Sequence, residues 1–283
     1  MRRVHRTSRE PAERPATDSE NRVTTRDTWT SLLDTDVHIW RIRLDVRDAA
    51  FDRLHSVMSE QERERALRFR FERLQQQYTI AHGALRLILG RYLSIAPDRL
   101  RFVEGAHGKP ALAEPAATIR FNVSHSEALA VIAFADGRDL GVDIEAIRPV
   151  PEMDEIAQRY FSDQEANDLM QTAPDAREQN FFRIWTRKEA FIKAIGDGLS
   201  FPLDSFSVSF HPDEEPRLLS VRGDVDAARA WQLHAFDPAP GFTGALAYRG
   251  SRVHPRLFAP LDSDELVRAV GAEPGILKNQ ESI

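Results

Sequence analysis

Two acidic residues lie close together in a short segment near the middle of the chain. Residues 141–145 read GVDIE. Side chains two apart on a strand share a face, so Asp143 and Glu145 would point the same way while Val142 and Ile144 enter the core. Two adjacent carboxylates attract a cation. A solvated strand edge shows the same alternation, and the pentapeptide by itself favours that simpler interpretation.

A helical segment further along the chain adds a third carboxylate. Residues 181–196 read FFRIWTRKEAFIKAIG, an amphipathic pattern in which Trp185, Glu189 and Lys193 share one side. Lys188 and Lys193 are two of only four lysines in the sequence. An ordinary Glu-to-Lys pair is the simpler interpretation. A carboxylate between two ammonium groups also suits a metal-bound pyrophosphate, because the acid can hold Mg²⁺ while the lysines neutralise phosphate oxygens.

A third group of polar residues belongs to two predicted turns. The GKP turn presents Lys109 beside Pro110, and Ser124 and His125 belong to an SHSE connection between two predicted strands. Such residues offer an ammonium, a hydroxyl and an imidazole to an anion. A nucleophilic serine paired with a histidine is the competing interpretation, but the chain has no G-x-S-x-G elbow. No H-x-x-x-H or HExxH pattern surrounds His125, which argues against a zinc site.

The composition narrows the classes of function. A chain of 283 residues with 42% apolar and 29% charged residues predicts a globular protein of about two domains. The absence of cysteine leaves only oxygen or imidazole ligands for a metal. A net charge of −6 argues against a nucleic-acid partner. Since no apolar run could span a membrane or act as a secretory signal, we expect no membrane partner and a cytoplasmic location.

Mixed helices and strands must position these residues. Residues 1–28 lack apolar periodicity and predict a disordered tail. A helix is predicted over residues 59–93, beginning with a capping box of Ser59 and Glu62 and broken once near Phe71. Alternating apolar residues predict strands over residues 36–44, 119–123, 128–134 and 139–144.

The second half of the chain resembles the first. A shift of 106 positions places Gly90 on Gly196 and Asp98 on Asp204, and both copies read as a helix, a turn and an alternating strand. We therefore predict an α+β fold of two similar halves, with the active site in the cleft between them. The predicted boundaries are a disordered tail at 1–28, an N-terminal half at 29–148, a C-terminal half at 149–258 and a tail at 259–283.

In this order and spacing, the motifs resemble the 4′-phosphopantetheinyl transferase superfamily in its long, two-halved, surfactin-synthetase-activating type. The G-[VI]-D-[IV]-E strand is present at residues 141–145, and the W-[ST]-x-K-E-[AS]-[FY]-x-K-x-x-G helix at residues 185–196. The GKP turn and the FNVSHS segment also match, and the resemblance covers about residues 50 to 250. It implies a transferase dependent on Mg²⁺ or Mn²⁺ that moves the phosphopantetheine arm of coenzyme A to a serine of an acyl or peptidyl carrier protein. The other product would be 3′,5′-ADP.

The resemblance also implies a role for each matching residue. Asp143, Glu145 and Glu189 match the metal-binding acids, and Lys193 would stabilise charge on the leaving diphosphate. Glu189 is also the candidate general base for the carrier serine, and the sequence leaves its two roles open. The residues expected beside coenzyme A are Arg73 near the 3′-phosphate, Lys109 and Pro110 at the adenine and 3′-phosphate, Ser124 and His125 at the phosphates, and Lys188 with Lys193 at the diphosphate.

The chain departs from the family pattern at one place and leaves two other functions open. Glu62 and Arg65 stand where the surfactin type has two lysines, and Arg86 is expected nearby. The alternatives are a metal-dependent hydrolase that splits coenzyme A and a binding module without catalysis. We expect a monomer acting on carriers of polyketide or nonribosomal peptide synthesis, docked on an arginine-bearing apolar patch near the cleft.

Overall fold

The computed structural model describes residue 32 and residues 36–45, 49–105, 107–113, 118–271 and 280–282. The tail predicted at residues 1–28 lies outside them. No helix within these ranges has the length and apolar content that crossing a membrane requires.

The first half is built from one long helix and an antiparallel set of strands. The predicted capping box of Ser59 and Glu62 is confirmed, as is the helix break before Glu72. The elements in chain order are β1 (Asp36–Arg43), α1 (Phe51–Ser56), α2 (Glu60–Leu67), α3 (Glu72–Leu93), β2 (Phe102–Glu104), β3 (Pro110–Leu112), β4 (Ile119–Ser126) and β5 (Leu129–Asp136).

The second half begins at the GVDIE segment and has its own long helix. That helix begins with Pro174 in its first turn, where a missing N–H costs nothing, and ends at Gly196 with a φ of 83°. The elements are β6 (Leu140–Ala146), α4 (Met153–Tyr160), α5 (Asp163–Gln171), α6 (Pro174–Ile195), β7 (Phe206–Val208), β8 (Leu218–Val221), α7 (Val225–Arg229), β9 (Trp231–Phe236), β10 (Phe242–Arg249), β11 (His254–Phe258), α8 (Ser263–Gly271) and β12 (Gln280–Ser282).

The two halves share a topology, but not through a constant shift in sequence. In the first half β1 pairs with β5 and β5 with β4, all antiparallel, and β2–β3 is a separate hairpin. In the second half β6, β10 and β9 pair in the same way, and β7–β8 is the separate hairpin. The 22-residue helices begin at Glu72 and Pro174, an offset of 102. The predicted fixed shift of 106 is therefore wrong: Gly90 lies inside α3, whereas Gly196 ends α6.

The end of the chain returns to the first half, which corrects two predicted boundaries. Strand β11 pairs parallel with β1 and antiparallel with β12, so the sheet order is β12-β11-β1-β5-β4. Leu266 and Ala269 of α8 are buried in the core formed by β1, α3 and β5. The half predicted at 149–258 thus gives its last strand to the other sheet. Residues 259–271 are packed structure, not the predicted tail.

A shared apolar core joins the two sheets and brings β4 next to β6. Ile39 and Val131 of the first sheet pack with Val142, Ile144 and Leu246 of the second. This packing buries the apolar side chains of β6 and leaves its acidic residues beside the edge strand β4.

Candidate active site

The glycine of the GVDIE segment allows α6 to cross β6 at very short range. A Cβ atom at Gly141 would lie 2.2 Å from the carbonyl oxygen of Ala190 and 2.3 Å from the nitrogen of Ala194. Any side chain at this position would push the helix away. The close crossing places Glu189 and Lys193 of the helix opposite Asp143 of the strand.

Asp143 and Lys193 form the closest charged contact in the cleft. Asp143 is 4% exposed, and its Oδ1 lies 2.6 Å from Nζ of Lys193 and 2.8 Å from Oγ of Ser124. Its other oxygen, Oδ2, is buried and has no hydrogen-bond partner among the described residues. Oδ1 is therefore bonded to protein groups, whereas Oδ2 is a buried acceptor that a cation or a hydrogen-bond donor could satisfy.

The other two acids stay close enough to Asp143 for their charges to interact. Burial raises the pKa of Glu189, and the charge of Asp143 raises it further while Lys193 opposes the shift. Burial also raises the pKa of Glu145, with a contribution from Asp143. Carboxylates whose pKa values rise in this way lack sufficient positive charge around them.

These acids suit a hard cation by their chemistry. All three supply oxygen ligands, and the unpartnered Oδ2 of Asp143 is a buried acceptor that a cation would satisfy. Within the described ranges, no three His, Asp or Glu side chains converge on one point as placed. Asp143, Glu145 and Glu189 therefore have the right donor atoms, and their side chains would have to turn toward a common ion.

Lys109 reaches across the cleft from the β2–β3 hairpin. Its Nζ donates hydrogen bonds to the carbonyl oxygens of Leu140, at 2.9 Å, and Ala194, at 3.2 Å. Burial lowers the pKa of Lys109 to about 8. A cavity of about 250 Å³ is lined by Lys109 together with Glu189 and Lys193. The structure thus brings three of the predicted residues together around one small cavity.

A larger cavity of about 470 Å³ opens beside the first and is lined by α2, α3 and the β2–β3 hairpin, including Pro110. Arg86 is buried there, and its Nε donates to Oε2 of Glu62 at 2.7 Å. Although burial opposes the shift, hydrogen bonds from His82 and Arg86 lower the pKa of Glu62 to about 2. His82 stacks on Tyr78 with ring centroids 3.9 Å apart. Neither His82 nor Tyr78 was predicted as a site residue, although their spacing of four places them on one side of α3.

Ser124 and His125 lie in strand β4 rather than in the predicted connection. Alternate residues of a strand face opposite ways, so Ser124 is buried against β6 while His125 is exposed. Partial desolvation lowers the pKa of His125, and Lys193 and His82 lower it further.

Like Ser124 and His125, the predicted coenzyme A ligands Lys188 and Arg73 line neither cavity. Lys188 is fully buried, with its Nζ 2.7 Å from Oε2 of Glu165 and 2.9 Å from the carbonyl oxygen of Leu203. Burial lowers its pKa, and the charge of Glu165 opposes the shift. The prediction that Lys188 contacts a diphosphate is therefore wrong. Arg73 is 70% exposed in the first turn of α3, 4.0 Å from Glu127 in the β4–β5 turn, and lines neither cavity.

The chain matches two family models and several known proteins. A model described as 4′-phosphopantetheinyl transferase superfamily matches residues 139–247, and one described as 4′-phosphopantetheinyl transferase, N-terminal, matches residues 45–136. The chain is 35% identical over 231 residues to 4′-phosphopantetheinyl transferase HetI of Nostoc sp. (strain PCC 7120), covering 81% of this chain and 94% of the relative. It is 36% identical over 163 residues to 4′-phosphopantetheinyl transferase Sfp of Bacillus subtilis (strain 168), covering 57% and 70%. A crystal structure of Thermotoga maritima holo-[acyl-carrier-protein] synthase matches with a TM-score of 0.32 and 20% identity, over 41% of this chain and 65% of that chain.

Proposed function

The chain belongs to the 4′-phosphopantetheinyl transferase superfamily, and from this membership we propose that the carboxylates of β6 and α6 form its catalytic centre. The enzyme transfers the phosphopantetheine arm of coenzyme A to a serine of a carrier protein. The observation that carries the assignment is the Asp143 carboxylate, which holds Lys193 with one oxygen and keeps the other buried and unpartnered among the described residues.

The two adjoining cavities are the proposed binding site of coenzyme A. Lys109 and Lys193 line the smaller cavity and would supply positive charge for the phosphates of coenzyme A. Pro110 borders the larger cavity. Lys193 would lie beside the diphosphate, where an ammonium stabilises the charge that builds on the leaving group. His125 lies on the exposed face of β4 and is kept as a proposed phosphate contact.

Glu189 is the proposed general base. The oxygen of the carrier serine forms a bond to the phosphorus that bears the pantetheine arm, and the bond from that phosphorus to the bridging oxygen breaks. The serine proton passes to the Glu189 carboxylate, and 3′,5′-ADP departs. The raised pKa of Glu189 makes it a better proton acceptor than an ordinary glutamate.

Asp143, Glu145 and Glu189 are the residues that would hold Mg²⁺ or Mn²⁺. When bound, such an ion neutralises charge on phosphate oxygens and helps to orient them. We propose Mg²⁺ or Mn²⁺ as the metal, and we propose Glu189 both as a metal ligand and as the general base.

The alternative functions are not favoured. A hydrolase acting on coenzyme A would need no carrier protein. The relatives HetI and Sfp are both named as transferases, which favours the transferase. A binding module without catalysis would be expected to lack one of the acids or Lys193, and the chain retains all of them. We also propose that the enzyme acts as a monomer in the cytoplasm on carriers of polyketide or nonribosomal peptide synthesis.

The turn between α2 and α3 is the proposed docking surface for the carrier. Leu67 and Phe71 are the most exposed large apolar side chains in the described part of the chain, at 74% and 60%. Arg68, Arg70 and Arg73 surround them, and neither Arg68 nor Arg70 forms an ion pair with a described residue. A basic surface with an apolar centre complements an acidic helix that exposes an apolar residue. We call these five residues the α2–α3 corner.

Charge reversal tests the corner. The double variant Arg68→Glu with Arg70→Glu should raise the KM for the carrier at least about 10-fold and leave the Kd of coenzyme A unchanged. The matched control reverses two exposed arginines of the second half, Arg217→Glu with Arg249→Glu, and should leave both constants unchanged. An unchanged carrier KM in the corner variant would place docking elsewhere.

Intact-mass spectrometry of a carrier protein tests the function itself. An apo carrier incubated with the enzyme, coenzyme A and Mg²⁺ should gain one phosphopantetheine. EDTA should prevent the gain, and so should replacing the acceptor serine with alanine. Cleavage of coenzyme A without any gain in carrier mass would favour the hydrolase.

A further inference from the structure

The larger cavity carries both positive and negative charge on its walls. Its charged lining residues are three arginines and two glutamates: Arg65, Arg86, Arg101, Glu62 and Glu104. The two acids offset two of the three arginines. A phosphate group that enters this cavity therefore meets carboxylates as well as guanidinium groups.

Glu62 is held in the cavity wall by contacts from two helices. It is the N3 residue of the α2 capping box, and its Oε2 accepts hydrogen bonds from the backbone N–H of Ser59 and from Nε of Arg86, both at 2.7 Å. Its Oε1 lies 3.7 Å from Nδ1 of His82. Because the carboxylate is a partner in each of these contacts, the side chain would lose them by turning away. The negative charge of Glu62 is therefore a fixed feature of the cavity.

Glu104 adds a second negative charge from the β2–β3 hairpin. Its Oε1 lies 3.3 Å from Nη1 of Arg65 on α2, and both side chains are exposed, so solvent screens the pair. Burial raises the pKa of Tyr78 to about 12; the charge of Arg65 opposes that shift, whereas the charges of Glu62 and Glu104 add to it. Both acids therefore act on the same part of the cavity.

The nucleotide end of coenzyme A is the group that these charges would affect. The proposed function places the diphosphate beside Lys193 in the smaller cavity, and Gly108 lines both cavities. The adenosine and its 3′-phosphate would then extend into the larger cavity. A phosphate monoester carries a charge of about −1.5 to −2 at pH 7, so a carboxylate close to it weakens its binding.

From this arrangement of charges we infer that Glu62 is a specificity-determining residue for the nucleotide end of coenzyme A. Its carboxylate offsets the arginines of the larger cavity. It thereby limits how strongly the enzyme prefers coenzyme A to the analogue without the 3′-phosphate, 3′-dephospho-coenzyme A. Glu104 has the same effect to a smaller degree, because it is exposed to solvent. The inference rests on the proposed function and deepens it.

Replacing Glu62 with glutamine removes the charge with almost no change of shape. Glutamine serves at the N3 position of a capping box as glutamate does. Nη1 of Arg86 keeps its hydrogen bonds to the carbonyl oxygens of Pro97 and Leu100, so the buried guanidinium retains partners. The variant Glu62→Gln should therefore fold.

Two further variants complete the set. Glu104→Gln changes an exposed residue, which makes damage to the core an unsuitable explanation for its effect. Glu64→Gln is the matched control, because Glu64 is exposed on the same helix as Glu62 and does not line the larger cavity. Titration calorimetry without carrier or metal gives the Kd of coenzyme A and of 3′-dephospho-coenzyme A for each protein.

The two ligands should respond differently. Glu62→Gln should lower the Kd of coenzyme A about 10-fold and leave that of 3′-dephospho-coenzyme A within about 2-fold of the wild type, since the lost charge acts mainly on the 3′-phosphate. Glu104→Gln should lower the Kd of coenzyme A about 3-fold, because its pair with Arg65 is exposed. Glu64→Gln should leave both values unchanged.

A Glu62→Gln variant that binds coenzyme A no more tightly than the wild type overturns the inference. An equal gain in affinity for both ligands also overturns it, because the 3′-phosphate would then lie beyond the influence of Glu62. If Glu62→Gln did not fold, an unchanged preference in Glu104→Gln would decide against the inference. A wild type that modifies no carrier refutes the proposed function instead, while the two Kd values still decide the role of Glu62.

Discussion

Replacing Gly141 with alanine should separate α6 from β6 and disable the enzyme. The added Cβ would meet the Ala190 carbonyl oxygen at 2.2 Å, whereas ordinary van der Waals contact begins at 3.4 Å. The helix must therefore withdraw by about 1 Å, and the Lys193 contact with Asp143, now 2.6 Å, lengthens correspondingly. A misplacement of about 1 Å at a catalytic centre costs about 100-fold in rate.

The stability of the same variant should fall as well. Overpacking of this kind costs about 1 to 3 kcal/mol, and in a protein of this size each kcal/mol lowers Tm by about 2 to 4 °C. We expect kcat in the carrier assay to fall about 100-fold and calorimetry to show a lower Tm. Gly271→Ala is the matched control, because no atom of a described residue lies within 4 Å of its added Cβ. If Gly141→Ala retained normal kcat and Tm, the close crossing would not be what positions Lys193.

Three further outcomes are expected. Glu189→Gln should abolish transfer and leave Tm unchanged or higher, because it removes a partly buried charge that Asp143 repels; substantial residual transfer would exclude Glu189 as the base. The Kd of coenzyme A should rise as the pH increases through about 8, where Lys109 loses its proton, and Lys109→Arg should remove that dependence because arginine stays charged. An unchanged Kd between pH 7 and pH 9 in titration calorimetry would remove Lys109 from the phosphate site. Lys188→Ala should lower the free energy of unfolding by about 3 to 5 kcal/mol in urea, because it strands the buried Glu165 carboxylate; a stable variant with weak coenzyme A binding would contradict the buried role.

Individual helices and strands were largely predictable, because residues close together in sequence determine where each one forms. The Ser59 and Glu62 capping box uses only residues three apart, and β1 was found from its own alternation. The SHSE segment was wrongly assigned to a connection because its residues are polar. Their polarity has a tertiary cause: Ser124 and Ser126 replace the backbone acceptors that the edge of β6 lacks.

The burial of Lys188 was predictable from the sequence. It lies four residues after Ile184 and three before Phe191, so it occupies the apolar stripe of α6 and not the side that carries Glu189. The helical spacing therefore predicts burial. Its partner Glu165 comes from another helix, and no spacing within α6 could have identified it.

The amino-acid sequence shows which chemical groups this protein has and which of them share a strand or helix face. Asp143 with Glu145, and Glu189 with Lys193, follow from periods of two and about four residues, which the backbone geometry sets within one element. Which of these groups come into contact depends on the tertiary fold. The return of β11 to β1, the burial of Lys188 and the bond of Ser124 to Asp143 each depend on contacts between segments distant in sequence. Such contacts are set by the joint packing of the sheets and helices, and that packing cannot be derived from any one element.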